Sequence, residues 1–303
     1  MKHGKWFPDL TPAMPAADAA RTVLAARLRA VRRCFARATS GEAVAEDIHQ
    51  LRVATRRAAA AVKMFGPLLA KKPARRARRV LRAVRQAAGG PRDFDVFGDR
   101  LARTATTPAG YALAGYAAGR RAAAGVDLIA AGLACGKKLT RVCDRTPTTI
   151  DRDTSDTLAT LALAALTSLF ARLSAAAADP PTAPAELHAV RIIGKSVRYA
   201  MELFAACFDP PFRAELYAAL GRLQEILGTL QDGDVALVRL REAGGHLAKS
   251  RPEWADDVAA TVAAAAADIE ARSVAVGPEF EAWATAWLAM VERHPLAGMV
   301  RRR

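Results

Sequence analysis

Aromatic residues and cysteines are scarce in this sequence, and each shortage argues against a class of site. Aromatic side chains make up 6% of the 303 residues and do not interleave with the basic clusters, which argues against a single-strand nucleic-acid binder that stacks bases. The four cysteines form no CxxC pair, so we expect buried reduced thiols rather than disulfides or zinc. No alternating β-branched run lies between hairpin turns, so we expect no sheet.

Long apolar runs are also missing from the sequence. The N-terminal segment has no apolar signal core, and no apolar run approaches the roughly 18 residues of a membrane helix. We therefore expect a cytoplasmic protein that does not insert into a membrane.

The composition is dominated by helix formers and by arginine. Hydrophobic residues make up 52% of the chain, mostly alanine and leucine, so we expect an all-α protein. Lysine and arginine outnumber aspartate and glutamate by 45 to 30, which gives a formal net charge of +15. Because arginine presents a planar fork of donors that matches phosphate oxygens, this excess favours a polyanionic partner.

One constellation of charged residues occurs twice, at a constant separation of 139 residues. The repeat predicts two pseudo-symmetric antiparallel helical bundles in tandem, produced by an internal duplication, each long enough for its own core. Each copy has a histidine, two cations and a later Asp-x-Asp pair: His49, Arg52, Arg56, Asp93 and Asp95 in the first, and His188, Arg191, Lys195, Asp232 and Asp234 in the second.

Glycine, proline and polar turn residues set the predicted boundaries. The segment Gln231-Asp232-Gly233 predicts a turn between helices near 212–228 and 233–243. The predicted organisation is a leader at 1–15, an N-terminal helical bundle at 16–146, a connection at 147–155, a C-terminal helical bundle at 156–294 and a basic tail at 295–303.

In each half, cations recur at helical spacing on one side of a predicted helix. Like charges one turn apart repel each other by a few tenths of a kcal/mol per pair, so a bound anion best explains such a stripe. The following helix of the first half adds further arginines, whereas its counterpart keeps fewer, so the positive surface is asymmetric. The candidates are His49, Arg52, Arg56 and Lys63, then Arg78, Arg82 and Arg85, in the first half, and His188, Arg191, Lys195, Arg198 and Arg222 in the second.

The two Asp-x-Asp pairs are interpreted as structural braces. Each pair is predicted at a helix start, where a carboxylate accepts hydrogen bonds from free backbone N–H groups. We expect one aspartate of each pair to act in this way and the other to accept a hydrogen bond from a histidine or arginine of the neighbouring helix. The braces are Asp93, Asp95, Asp232 and Asp234.

The motif His-x-x-Arg-x-x-x-Arg-Arg, with a later Gly-Pro-Arg-Asp-Phe-Asp-Val, resembles the CHAD family, the conserved-histidine α-helical domain. The second copy, His-x-x-Arg-x-x-x-Lys-x-x-Arg-Tyr with Leu-Gly-x-Leu-Gln-Asp-x-Asp-Val, resembles it too, and the likeness spans about 16–294. The resemblance implies two helical bundles whose basic inner faces line a groove or pore. It implies binding of inorganic polyphosphate without catalysis or a cofactor, and it adds Arg57 to the phosphate-contacting residues.

Two other functions stay open at this stage. His49 with Asp93 and Asp95 could hold a divalent ion in a metal-dependent phosphohydrolase, although the HD and HExxH motifs are absent and the surrounding arginines would repel a cation. A basic groove could also hold nucleic acid nonspecifically, as a weak competitor of polyphosphate. Association with polyphosphate granules is a further expectation.

Overall fold

The computed structural model describes residues 4–151 and 155–301 of the chain. Within these residues ten α-helices form, and no strand is present beyond isolated bridges, so the predicted all-α class is confirmed. The helices are α1 (Ala16–Ala38), α2 (Ala45–Met64), α3 (Lys71–Ala87), α4 (Gly89–Thr104), α5 (Pro108–Arg145), α6 (Leu158–Ala178), α7 (Pro184–Phe204), α8 (Tyr217–Ser250), α9 (Ala255–Val274) and α10 (Val276–Arg293).

The helix α8 runs through the turn that was predicted at Gln231-Asp232-Gly233. Gly233 is buried, and a Cβ added there would lie 3.1 Å from Ile269 Cγ2 of α9. This glycine therefore allows two helices to approach closely and does not break the helix. The prediction of two separate helices at this point was wrong, because a packing glycine and a turn glycine look alike in sequence.

The hydrophobic core does not divide between the two halves of the chain. The larger core cluster includes residues of α1, α2 and α3 together with residues of α6, α7, α8 and α10. A second cluster joins Phe97 of α4 and Leu113 of α5 to Leu240 of α8 and Ile269 of α9. Separate cores were expected, but both clusters draw on both halves. The internal duplication and the predicted bundle boundaries stay predictions.

The helix α6 corrects one expectation from sequence. It is long and apolar enough to cross a membrane by length and composition, with a mean hydropathy of 1.6, so the statement that no run approaches that length was wrong. Its side chains Leu166, Phe170 and Leu173 are nearly inaccessible and belong to the larger core cluster. Core packing therefore accounts for the large apolar side chains of this helix, whereas a third of its apolar window is buried and exposed alanines supply part of the rest.

The predicted leader and tail pack onto the helices. Arg27 of α1 donates a hydrogen bond to the carbonyl oxygen of Lys5 at 2.8 Å, and the ring of Trp6 lies edge-on to Tyr217 with centroids 4.7 Å apart. Near the other end, Arg301 N donates to Cys207 O at 2.9 Å. Residues 1–3 of the leader, 152–154 of the connection and 302–303 of the tail lie outside the described residues.

Candidate functional site

Four cations from the two halves converge where α2 packs against α7. Lys195 is surrounded so closely that burial, followed by the charges of Arg191 and Arg56, lowers its pKa to about 7. Arg52 also acts on Lys195, and Arg56 acts on both Arg52 and Arg191. We call Arg52, Arg56, Arg191 and Lys195 the central cluster.

Helical periodicity explains why these side chains point to one place. Leu51 and Ala58 are fully buried on the core side of α2, which leaves Arg52 and Arg56, four residues apart, on the adjoining side. On α7, Val190 and Val197 fill the same role, so Arg191 and Lys195 are also four residues apart beside a buried row. Packing of the two apolar rows therefore brings the two predicted stripes together.

Hydrogen bonds to the following helix fix each half of the cluster. Arg52 Nη1 donates to the carbonyl oxygen of Arg85 on α3 at 3.3 Å. In the second half Gln224 Nε2 of α8 donates to the carbonyl oxygen of Arg191 at 3.3 Å. Arg85 and Gln224 are 139 residues apart, so they occupy equivalent positions of the repeat. Each links a stripe to the helix that follows it. The stripe residue is the donor in the first half and the acceptor in the second.

The third helix extends the positive charge on one side only. Burial lowers the pKa of Arg85, and the neighbouring charges of Arg56 and Arg82 lower it further, which shows that Arg85 adjoins the central cluster. The predicted residues Arg78 and Arg82 lie exposed on the same helix. At the counterpart of Arg85 the second half has the neutral Gln224.

Two carboxylates lie near the central cluster. Asp93 is half-buried, and burial raises its pKa; Arg52 opposes this effect, whereas Asp232 adds to it. Asp232 Oδ1 lies 3.8 Å from Arg191 Nη2. These two aspartates, which are equivalent in the repeat, therefore approach each other and the cations, and they offset only part of the positive charge.

The predicted helix-start position of the Asp-x-Asp pairs is not found. Asp232 and Asp234 lie in the middle of α8, where backbone N–H groups are already bonded within the helix, so they cannot cap it. Asp95 lies on α4 and accepts a bond from Arg121 Nε of α5 at 3.0 Å. Asp95 thus braces α4 against α5, a partner that the repeat did not predict.

Arg57 and Arg198 belong to a separate network around the buried Glu202. Arg57 donates to both carboxylate oxygens, with Nε at 2.6 Å from Oε2 and Nη2 at 3.2 Å from Oε1. Tyr217 Oη donates to Oε1 at 2.7 Å and accepts a bond from Arg198 Nε at 3.1 Å. Arg27 Nη2 lies 3.9 Å from Oε2. The prediction that Arg57 and Arg198 point at the ligand is therefore at odds with their contacts, since both are engaged inside the protein.

The two histidines have different surroundings despite their equivalent positions. His49 is half-buried, and burial followed by the charge of Arg92 lowers its pKa, so the ring is neutral at neutral pH. His188 is exposed and lines a hollow of about 410 Å³ together with Asp234 and Glu270. The two histidines occupy equivalent positions of the repeat, but their side chains do not have the same surroundings.

Two further predicted cations lie apart from the central cluster. Lys63 is exposed near the C-terminal end of α2, seven residues and about 10 Å of helix beyond Arg56. Arg222 is exposed and pairs with Glu279 at 3.1 Å and with Glu225 at 3.8 Å. Its charge is thus largely offset by local carboxylates, contrary to the predicted flanking role.

The metal-site alternative finds no assembled ligand set. Among residues 4–151 and 155–301, no three His, Cys, Asp or Glu side chains are grouped so that they could hold a metal ion. Asp95 is committed to Arg121, and Asp93 adjoins Arg52 and Arg239. The structure therefore does not bring His49, Asp93 and Asp95 together as predicted for a divalent ion.

Sequence reasoning missed two arginines beside the cluster. Arg92 acts on both His49 and Arg52, and it stands inside the Gly-Pro-Arg-Asp-Phe-Asp motif. Arg239 acts on Asp93 and lies over the ring of Phe94, 4.8 Å from its centroid. Since Arg239 is also 139 residues beyond Arg100, a complete listing of repeated cations would have found it.

Comparison with known proteins matches the CHAD domain over residues 22–241. A crystal structure of the CHAD domain from the plant Ricinus communis is 22% identical, with a TM-score of 0.67 and coverage of 93% of each chain. The structure of PptA from Streptomyces chartreusis is 18% identical, with a TM-score of 0.59 and coverage of 92% of this chain and 99% of that one. No curated protein sequence matches. The structural likeness shows a common fold, and because the family match covers more than half of the sequence, the chain belongs to the CHAD domain family.

Proposed function

We propose that this protein binds inorganic polyphosphate, without catalysis, at the central cluster and the adjoining Arg85. The observation that carries the proposal is the convergence of Arg52 and Arg56 with Arg191 and Lys195, two cations from each half, around Lys195. Membership in the CHAD family supports the proposal, since polyphosphate binding is the association that the resemblance implies.

The electrostatics of the cluster favour a ligand with dense negative charge. Burial of Lys195, followed by repulsion from the neighbouring cations Arg191 and Arg56, lowers its pKa to about 7. A chain of phosphates would relieve this repulsion and accept charge-assisted hydrogen bonds, each contributing roughly 1.5–3 kcal/mol. Polyphosphate has no bases to stack, and one aromatic side chain, Tyr199, adjoins Arg191 and Arg85, so competition with nucleic acid is part of the test.

Isothermal titration with long-chain polyphosphate tests the assignment. The variants Arg52→Ala and Arg191→Ala each remove one cluster cation, and we expect each to weaken binding by roughly tenfold or more. The control Arg272→Ala removes the same charge from the exposed surface of α9, where Arg100 remains bound to Asp268, and we expect an effect below about twofold. Equal affinity in the wild type and both cluster variants would remove the proposed site.

Two further measurements separate the proposal from its alternatives. Incubation with tripolyphosphate and Mg²⁺ or Mn²⁺ should release no phosphate; release that is lost in His49→Ala would favour the phosphohydrolase. Single-stranded DNA should fail to displace polyphosphate at physiological salt, whereas full displacement would favour a nucleic-acid binder. Cytoplasmic location and association with granules remain predictions from the sequence.

A further inference from the structure

The helix α3 presents a row of cations that the central cluster does not account for. Arg75, Arg78, Arg82 and Arg85 follow one another at spacings of three, four and three residues, which places them on one side of the helix. From Arg75 to Arg85 the row spans eleven residues, which is ten helical steps or about 15 Å. Its inner end, Arg85, adjoins Arg56 of the central cluster.

The adjoining, buried side of α3 holds the row in place. Ala77, Leu81 and Val84 are fully buried against the core and recur at the same helical spacing. The outer cations consequently face an open hollow of about 670 Å³, whose lining consists entirely of basic side chains. They are Lys72, Arg75, Arg76, Arg78, Arg79 and Arg82.

The cations that line this hollow form no ion pairs with the acidic residues that the structure describes. In the described parts of the chain, no ion pair joins any of the six to a carboxylate. Like charges one turn apart on a helix destabilise it, and no local carboxylate relieves this effect. Such a surface is most stable with an anion that covers several turns at once.

The second half of the chain lacks this row completely. The positions that correspond to the row in the 139-residue repeat lie in the first turns of α8 and in the short π-helical segment Phe212–Leu216 before it, and none of them is a cation. They are Ala214, Tyr217, Gly221 and Gln224. A ligand that leaves the central cluster therefore meets a row of cations along α3 and none at the corresponding positions of the second half.

We propose that the side of α3 formed by Arg75, Arg78 and Arg82 is a second binding segment, along which a polyphosphate chain continues outward from the central cluster. This inference rests on the proposed function. It adds that a short phosphate chain occupies the central cluster alone, whereas a long chain also covers α3 and leaves the protein on the side of the first half.

The test compares two ligands on two double variants, one on α3 and one on α8. The row variant, Arg75→Ala/Arg78→Ala, removes two cations of the row. The far-side variant, Arg241→Ala/Lys249→Ala, removes two exposed cations of α8 in the second half, outside the hollow, with the same change in net charge. Titration calorimetry measures binding of tripolyphosphate and of long-chain polyphosphate over a range of salt concentrations. All four positions are exposed, and circular dichroism verifies that both variants stay folded.

We expect the row variant to bind long chains about tenfold more weakly, as the loss of two exposed charge contacts predicts, and to bind tripolyphosphate as the wild type does. The slope of log affinity against log salt for long chains should fall by about two. The far-side variant should change long-chain affinity by less than about threefold.

Three results overturn the proposal. Unchanged long-chain affinity in the row variant shows that the chain does not contact the row. An equal loss in both double variants shows that only net charge matters, and an equal loss for both ligands shows that the row belongs to the central site. A wild-type protein that binds neither ligand overturns the proposed function as well, which distinguishes the two failures.

Discussion

Arg57 of α2 binds Glu202 of α7 through two hydrogen bonds, at 2.6 and 3.2 Å, across the contact between the two halves of the chain. The glutamate is 1% exposed and also accepts a bond from Tyr217. Burial and the adjacent carboxylate raise the pKa of Tyr217 to about 12, so the phenol stays protonated as the donor. This network locks α2 to α7 beside the central cluster, and it thereby fixes how the two basic stripes meet.

Glu202→Gln should destabilise the protein by about 3–5 kcal/mol, because Arg57 and Arg27 would remain in a buried site without their counter-charge. Urea unfolding followed by circular dichroism measures the change. As a control, Glu225→Gln removes the same charge from an exposed pair with Arg222 and should cost no more than about 1 kcal/mol. Equal losses in the two variants would contradict the importance of the buried network.

Gly194→Ala should destabilise the protein by about 1–3 kcal/mol, because the new Cβ would lie 2.6 Å from Leu223 Cδ2 and 2.9 Å from Gln224 Nε2. The resulting shift of α7 from α8 should also weaken polyphosphate binding, since Gln224 holds the Arg191 carbonyl. Thermal unfolding and titration check both effects. Gly221→Ala is the matched control, since no atom lies within 4 Å of its added Cβ, and it should stabilise α8 by up to about 1 kcal/mol. A stable Gly194→Ala protein would contradict the close packing.

Lys195→Met should raise the thermal stability of the ligand-free protein and lower its affinity for polyphosphate. The folded-state pKa of Lys195 is about 7, below its ordinary value of 10.5, so the unfolded chain binds more protons between these pH values. The contribution of Lys195 to the free energy of unfolding therefore rises with pH between about 7 and 10.5. Below pH 7 the charged lysine destabilises the folded protein most. The gain in Tm should be largest at pH 6 and small near pH 10; a gain independent of pH would point to packing instead.

Polyphosphate affinity should fall as the pH rises above about 7. The free protein then holds Lys195 neutral, and binding must bring a proton to it, because a nearby anion favours the protonated amine. Titration in buffers of different ionisation enthalpy should show proton uptake near pH 8. Lys195→Arg keeps its charge throughout this range and should show a flatter profile; an identical pH profile in this variant would assign the effect to another group.

Local sequence determined the helices and the charged rows. The stripe that contains Arg52 and Arg56 could be predicted because helical period and apolar spacing are properties of neighbouring residues. The C-terminal end of α2, just before Gly66-Pro67, follows from the same local rules. The constant 139-residue offset then linked Arg191 and Lys195 to the first stripe without any structural knowledge.

Tertiary structure alone decided which cations remain available to a ligand. Arg57, Arg198 and Arg222 look equivalent to Arg52 and Arg191 in the sequence, but the first two serve the buried Glu202 and the third pairs with Glu279. Glu202 lies 145 residues from Arg57, and Glu279 lies 57 residues from Arg222, so only helix packing brings these partners within reach. Likewise, only packing against α9 explains why α8 continues through Gly233. Sequence spacing fixes the side of a helix on which a charge lies, whereas the neighbouring helices determine what that charge contacts.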